Sequence, residues 1–305
     1  DRRKKKSGKP SKFSVLSNCA KLNEWEKTKH TMEEEYMREL TLNTGINIPI
    51  IGSGTNTFGK VDHQYMGEIN GDTTEILSAI EVGYRHFDTA IAYRNEAVVG
   101  KAIKESGLPR EAFFITSKIP GKPEYTNSER SVMEAVEFSL TNLGTEYLDL
   151  YLIHHPWENL EEMVIVWHVL ERYVDQGKIK AIGVSNFDKK QLAYLLAGAR
   201  IKPAVNQIES HPGKWNHEII DFSLQNDVFP EAWGPLTRVI PEAKEQLSQI
   251  GQAYGKSWAQ VILRYQIEKE VIVIPKSHHL TRQKENLAIF DFSLTEQERN
   301  MIGQL

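Results

Sequence analysis

Only one cysteine, Cys19, occurs in 305 residues, so an intramolecular disulfide is excluded and the fold must rest on its core. A lone thiol suits a reducing compartment, and cytoplasm is the expected location. No apolar run approaches the roughly 20 residues of a membrane-spanning helix, and the N-terminal region lacks the hydrophobic stretch of a signal peptide. No membrane partner is expected. There is no internal repeat and no low-complexity linker, which argues against a solenoid or a two-domain chain. Charge of neither sign dominates, with 37 Lys and Arg against 41 Asp and Glu. The distribution is uneven, however. Arg2, Arg3, Lys4, Lys5, Lys6, Lys9 and Lys12 face only Asp1 in the first twelve positions, which leaves the remainder acidic. Such a cluster can address a nucleic acid, an anionic membrane or a targeting receptor, or can simply be a solvated tail. The tail is the simpler reading, and no nucleic-acid partner is expected. Residues 1–37, including a polar helical candidate over Glu24 to Tyr36 with no strong apolar face, are set apart as a leader.

From Leu40 onward the chain alternates apolar strand-like runs with helical segments, the pattern of a parallel sheet built from βαβ units. Eight runs stand out: Ile48 to Ile51, Tyr84 to Phe87, Phe113 to Ser117, Leu148 to Ile153, Lys180 to Val184, Ala204 to Ile208, Val228 to Ala232 and Val271 to Ile274. Leu150 to Ile153 and Val271 to Ile274 are too apolar for a sheet with one wet face, so both faces should be covered. Helix starts are marked by Asp72 before Thr73 to Val82, by Asn127 or Ser128 before Glu129 to Leu143, and by Asp188 before Lys189 to Ala199. Eight strands with intervening helices predict a (β/α)8 barrel over residues 38–305. A preceding hairpin turning near Asn43 to Gly45 would close the barrel bottom.

Asp88, Tyr93, Lys118 and His154 each fall at or just beyond the C-terminal end of one of these runs. In a parallel barrel those ends open onto one face. A phenol can donate a proton, and its ordinary pKa of about 10 is lowered by a nearby ammonium. Lys118 could supply that ammonium, Asp88 could hold it, and His154 could orient a carbonyl oxygen. Singly, each has a bland reading: a helix cap, a packed aromatic, a snorkelling lysine, a satisfied core histidine. Their convergence at the same end of successive strands favours an active site.

The block Gly83 to Ser106, the strand Asp149 to His154 and the segment Gly183 to Phe187 resemble the aldo-keto reductase family, with motifs in matching order from about Arg38 to Ile302. The resemblance implies NADPH-dependent reduction of a small-molecule carbonyl on a (β/α)8 barrel, with Asp88, Tyr93, Lys118 and His154 as the catalytic tetrad and Tyr93 as general acid. It further implies that Ser185, Asn186 and Gln207 bind the nicotinamide carboxamide and that Trp233 stacks on the ring, with Thr55, Gly234, Pro235 and Leu236 nearby. Lys276, Ser277 and Arg282 would grip a 2′-phosphate, a set whose charge-assisted bonds favour NADP+ over NAD+. Glu285 and Asn286 would address the adenine. The chain departs from many relatives at Asn56 and His155, where a tryptophan is usual. A more polar substrate pocket is expected there, with Phe58 and Trp157 as other walls. The segment Leu236 to Leu247 is short, and little chain after the barrel is left to close the pocket. A monomer or weak oligomer is expected.

Other readings are weaker. Gly52-Ser53-Gly54 followed by Asp72 imitates a dinucleotide fingerprint, but the third glycine is misplaced and no helix begins after it. His154-His155 and His278-His279 suggest a metal, yet neighbours in a strand point to opposite faces, and no metal is expected. A nicotinamide-sensing regulatory subunit with little turnover is the principal alternative, followed by a barrel hydrolase or isomerase.

Overall fold

The computed structural model describes residues 39–305. The basic cluster, Cys19 and the Glu24 to Tyr36 candidate lie outside the described residues. Strands β1 (Glu39–Thr41) and β2 (Asn47–Pro49) pair antiparallel, with Leu40 opposite Ile48. Gly45 makes the turn at φ +80°, a conformation that costs glycine little. The hairpin presents buried Leu42 and Ile48 to Leu150, Leu152, Val205 and Ile272. Asn43 donates to the carbonyls of Pro203 and Asp227, just before two of the barrel strands. The hairpin thus closes the N-terminal end of the barrel.

Eight parallel strands follow: β3 (Ser53–Gly54), β4 (His86–Asp88), β5 (Phe114–Ile119), β6 (Leu148–Ile153), β7 (Ile179–Ser185), β8 (Val205–Glu209), β9 (Phe229–Trp233) and β10 (Ile272–Val273). Each pairs with its sequence neighbours. The ring closes through a parallel bridge between Ile51 and Val273, with Gly52 N–H donating to the Val273 carbonyl at 2.8 Å. The (β/α)8 architecture is therefore as expected. Helices cover the outer face, among them Thr74–Val82, Glu129–Leu143, Leu160–Asp175, Lys189–Gly198 and Trp258–Glu268. Ser128 accepts from Ser131 N–H, and Asp188 forms a reciprocal capping box with Gln191, so these helices begin where their polar signals stand.

Side-chain alternation sorts the strands. On β6, Tyr151 and Ile153 join the core beneath the helices, while Leu150 and Leu152 join the cluster inside the barrel. Ile115 and Ile119 of β5 face the helices, which turns Thr116 and Lys118 inward by the period of two.

Two of the boundaries that differ from expectation bear on the barrel's closure and its mouth. The apolar run Ile48 to Ile51 is not one strand. Ile48 belongs to the bottom hairpin, Ile51 makes the closing bridge, and the first barrel strand is Ser53–Gly54. The glycines here answer close approach, since a Cβ on Gly52 would come within 2.5 Å of the His86 ring and one on Gly54 within 3.2 Å of the Ile274 carbonyl. The second barrel strand is His86–Asp88 rather than Tyr84 to Phe87, so Asp88 ends the strand instead of following it. Among the described residues no helix is long and apolar enough to cross a membrane.

Candidate active site

Asp88 ends β4, Lys118 is the penultimate residue of β5, and His154 follows β6 while its N–H still pairs with the Ile119 carbonyl. Tyr93 closes a short 3-10 turn, Ile91–Tyr93, that brings its phenol back over the barrel mouth. Lys118 Nζ lies 2.6 Å from Asp88 Oδ1, 2.9 Å from the Thr89 carbonyl and 3.3 Å from Tyr93 Oη. The Tyr93 and His154 rings meet edge to face at 5.5 Å. All four side chains are assembled in one site.

The lysine and aspartate are buried, at 0% and 2% exposure. Burial works to discharge Lys118, but Asp88, assisted by Tyr93, raises its pKa above the ordinary value, so the ammonium persists. Burial pushes Tyr93 up to about 12, against the pull of Lys118. The sequence led us to expect a phenol lowered by its lysine; that pull exists but is smaller than desolvation. Burial, then Lys118 and His155, push His154 down to about 2, leaving a neutral imidazole. The site therefore presents a protonated phenol, a charged ammonium beside it and an uncharged hydrogen-bonding ring.

A cleft of about 890 Å³ opens above this group, lined by Asp88, Tyr93 and His154. Ser185, Asn186, Gln207, Trp233, Gly234, Pro235 and Leu236 also line it, as do Lys276, Ser277, Arg282, Glu285 and Asn286. Thr55, Asn56 and His155 also reach it. The amide of Asn186 is held in place on several sides. The residue has φ +63°, which asparagine tolerates better than most, and its Nδ2 lies within 3.1 Å of the His154 carbonyl and of His155 Nδ1. Its Oδ1 accepts from Trp233 Nε1 at 2.9 Å. Gln207 Nε2 donates to Asp88 Oδ2 at 2.8 Å, while Ser185 Oγ donates to the Gln207 carbonyl. Lys276 bonds to a hydroxyl and an imidazole rather than a carboxylate.

Two expected substrate walls are placed elsewhere. Phe58 is completely buried in the core, because Phe58 N–H closes a turn on the Thr55 carbonyl and tucks the ring under the loop. Trp157 packs near Gly121 outside the cleft lining. Neither faces the cleft. In their place stands Tyr65, 5.9 Å from the Tyr93 ring, whose carbonyl and that of Asn56 are both held by the buried ammonium of Lys60. Arg238 and Lys244 join the lining, and Arg238 pairs with Glu209 at the end of β8. No local signal marked Tyr65, since its loop has neither strand nor helix periodicity. Beneath the tetrad, Glu231 is buried with both carboxyl oxygens lacking a hydrogen-bond partner among the described residues. Burial, reinforced by Asp88, pushes it up to about 8. Its neighbour His86, 3.9 Å away, is pushed down to about 3 by burial.

His63, Glu75 and His278 cluster at the rim. The two imidazoles stack nearly parallel, 3.9 Å apart. Glu75 lies between them, 3.4 Å from His63 Nε2 and in contact with His278 Nδ1.

A sequence profile of the aldo/keto reductase family matches residues 50–305. Glyoxal reductase of Bacillus subtilis is 41% identical over 264 residues, covering 87% of this chain and 91% of its own length. The crystal structure of an aldo/keto reductase from Brucella melitensis superposes with a TM-score of 0.79 at 36% identity, covering 87% of this chain and 98% of that one. An aldo-keto reductase of Bombyx mori, solved in complex with NADP, gives 0.79 at 31% identity over 88% and 92% of the two chains. The barrel, the polar group at its strand ends and likeness along nearly nine-tenths of the sequence agree, and the chain belongs to the aldo/keto reductase family of oxidoreductases.

Proposed function

We propose that the protein is an NADPH-dependent carbonyl reductase in which Tyr93 donates the proton received by the carbonyl oxygen. The observation that carries this reading is the contact of the Tyr93 phenol with a Lys118 ammonium that is itself locked by Asp88 and the Thr89 carbonyl. With its pKa held near 12, the phenol is protonated throughout the neutral range and available as a donor. As its proton leaves, the adjacent ammonium offsets the charge left on the phenol oxygen, a stabilisation worth most in a dry site. Neutral His154 can hydrogen-bond the same carbonyl oxygen without competing as an acid.

NADPH supplies the hydride when bound. The cleft's donor set fits that cofactor. Ser185 and Asn186 carry the mixture of donors and acceptors that a carboxamide requires, engaged in the free protein with Gln207, His154, His155 and Trp233; half-buried Trp233 offers an aromatic face, and Lys276 and Arg282 offer cations for a 2′-phosphate. The Bombyx mori relative bound to NADP supports the same assignment. The glyoxal reductase relative points to small aldehydes and dicarbonyls as first substrates to try.

The test is NADPH consumption with glyoxal-type dicarbonyls, aliphatic and aromatic aldehydes and keto sugars. Tyr93→Phe should reduce turnover by at least about 10²-fold while retaining NADPH affinity. Near-normal turnover in that variant, or tight NADPH binding by the parent with no reduction across the panel, would overturn the proposal. The second result would favour a regulatory, cofactor-sensing role.

A further inference from the structure

Lys276 is the first polar residue after β10, and its ammonium donates to Thr57 Oγ1 at 3.1 Å and to His278 Nε2 at 3.0 Å. An ammonium has no lone pair, so His278 Nε2 must accept, which places the ring hydrogen on Nδ1. Nδ1 then donates to Glu75 of helix Thr74–Val82. Lys276 and His278 both line the cleft, beside Arg282.

We propose that His278 is a proton-binding member of the site for a nucleotide 2′-phosphate: the phosphate draws Lys276 off the imidazole, and the freed Nε2 takes a proton from solvent and becomes a further donor to the phosphate. The inference rests on the reading of the cleft as an NADPH site. Atoms and charge balance, because one proton is taken up for each phosphate bound and Lys276 keeps its own.

Every group facing His278 fits this exchange. Glu75 faces it from the helix, His63 stacks on it from the loop after β3, Lys276 approaches from the end of β10, Thr57 Oγ1 lies 3.0 Å from Nε2 and can accept its hydrogen once the ring is charged, and the Phe58 edge is apolar. In the free protein, burial, then Lys276 and His63, hold the ring below its ordinary pKa despite Glu75. A phosphate dianion replaces the repulsion of Lys276 with attraction, while Glu75 still receives Nδ1–H. The pKa of His278 is therefore higher in the complex than in the free protein. Between those two values NADPH affinity should rise as pH falls, by up to about tenfold per pH unit, and NADH affinity should not. The second ionisation of a phosphate monoester, near pH 6, acts with the opposite sign, since binding it as the dianion releases protons.

The experiment is calorimetric titration of the full chain with NADPH and with NADH near pH 7, in buffers of different ionisation heat. Net proton uptake with NADPH alone is expected. In His278→Gln the uptake should vanish or become release, and the extra pH slope of NADPH affinity should be lost with NADH affinity unchanged. Glu75→Gln should diminish the uptake. Proton release by the parent protein, or uptake surviving in His278→Gln, would overturn the assignment. Preferential NADPH binding without uptake removes only the role of His278, whereas failure to bind NADPH, or to prefer it over NADH, removes the cofactor reading as well.

Discussion

Gln207 holds Asp88 by the carboxylate oxygen that Lys118 leaves free. Oδ1 receives the ammonium at 2.6 Å and Oδ2 receives the glutamine amide at 2.8 Å, although Gln207 and Asp88 lie 119 residues apart in sequence. The family resemblance reserves this glutamine for the nicotinamide carboxamide. In the structure its amide nitrogen is committed to the tetrad, so a single side chain links the proton-donating group with the cofactor side of the cleft.

Gln207→Leu should therefore damage both functions. Leaving a buried carboxylate oxygen without its donor costs about 1–3 kcal/mol, visible as a lower urea midpoint, and a loosened Asp88 should reduce turnover. A variant of parental stability would show that Gln207 does not support Asp88.

Stability should depend on pH through buried titratable groups. His86 and His154, pushed down from 6.5 to about 3 and about 2, stay neutral in the folded protein while the unfolded chain protonates them, so each removes stability as pH falls below about 6.5. Glu231, pushed up from 4.5 to about 8, works in the other direction, because the folded protein keeps a proton that the unfolded chain has lost. Two groups against one leave a net loss of stability on acidification below about pH 6.5, opposed towards the acid end by Glu96 and Asp149, whose carboxyls burial also raises. Above 6.5 only Glu231 remains, and its contribution is lost as pH rises to about 8. Thermal unfolding across this range should show both slopes, and Glu231→Gln should abolish the alkaline one. An unchanged alkaline slope would locate its origin elsewhere.

Lys276→Ala and Arg282→Ala should each weaken NADPH by roughly 10- to 100-fold, the worth of a charge-assisted hydrogen bond, with much smaller effects on NADH. Quenching of Trp233 fluorescence provides the readout. Equal losses for the two cofactors would exclude a role in phosphate recognition.

Phe58→Ala should behave as a core truncation and not as a pocket change. A fully buried phenylalanine reduced to alanine costs about 3–5 kcal/mol in chemical denaturation. Substrate preference among aldehydes of different size should hold in whatever fraction stays folded; a shift in preference with little loss of stability would return Phe58 to the substrate wall.

The amino-acid pattern alone determined the barrel, seven of the eight barrel-strand locations to within two residues at either end, and the identities of the four residues at its mouth. Those features are local. Inward and outward positions follow from a period of two, helix starts from Ser128 and Asp188, and the residues that carry chemistry stand beside apolar runs that announce strands. Tertiary structure decided what depends on distant parts of the chain. Ile48 could serve the bottom hairpin or the first barrel strand until the closing bridge from Ile51 to Val273 was in place. Phe58 left the substrate wall and Tyr65, which no local signal marked, entered the cleft lining, because a single turn on Thr55 buries one ring and the Lys60 ammonium ties down the loop that carries the other. The phenol of Tyr93 rose to about 12 where its lysine neighbour alone implied a fall. Desolvation sums over every element packed around a group, whereas sequence spacing reports only its neighbours along the chain.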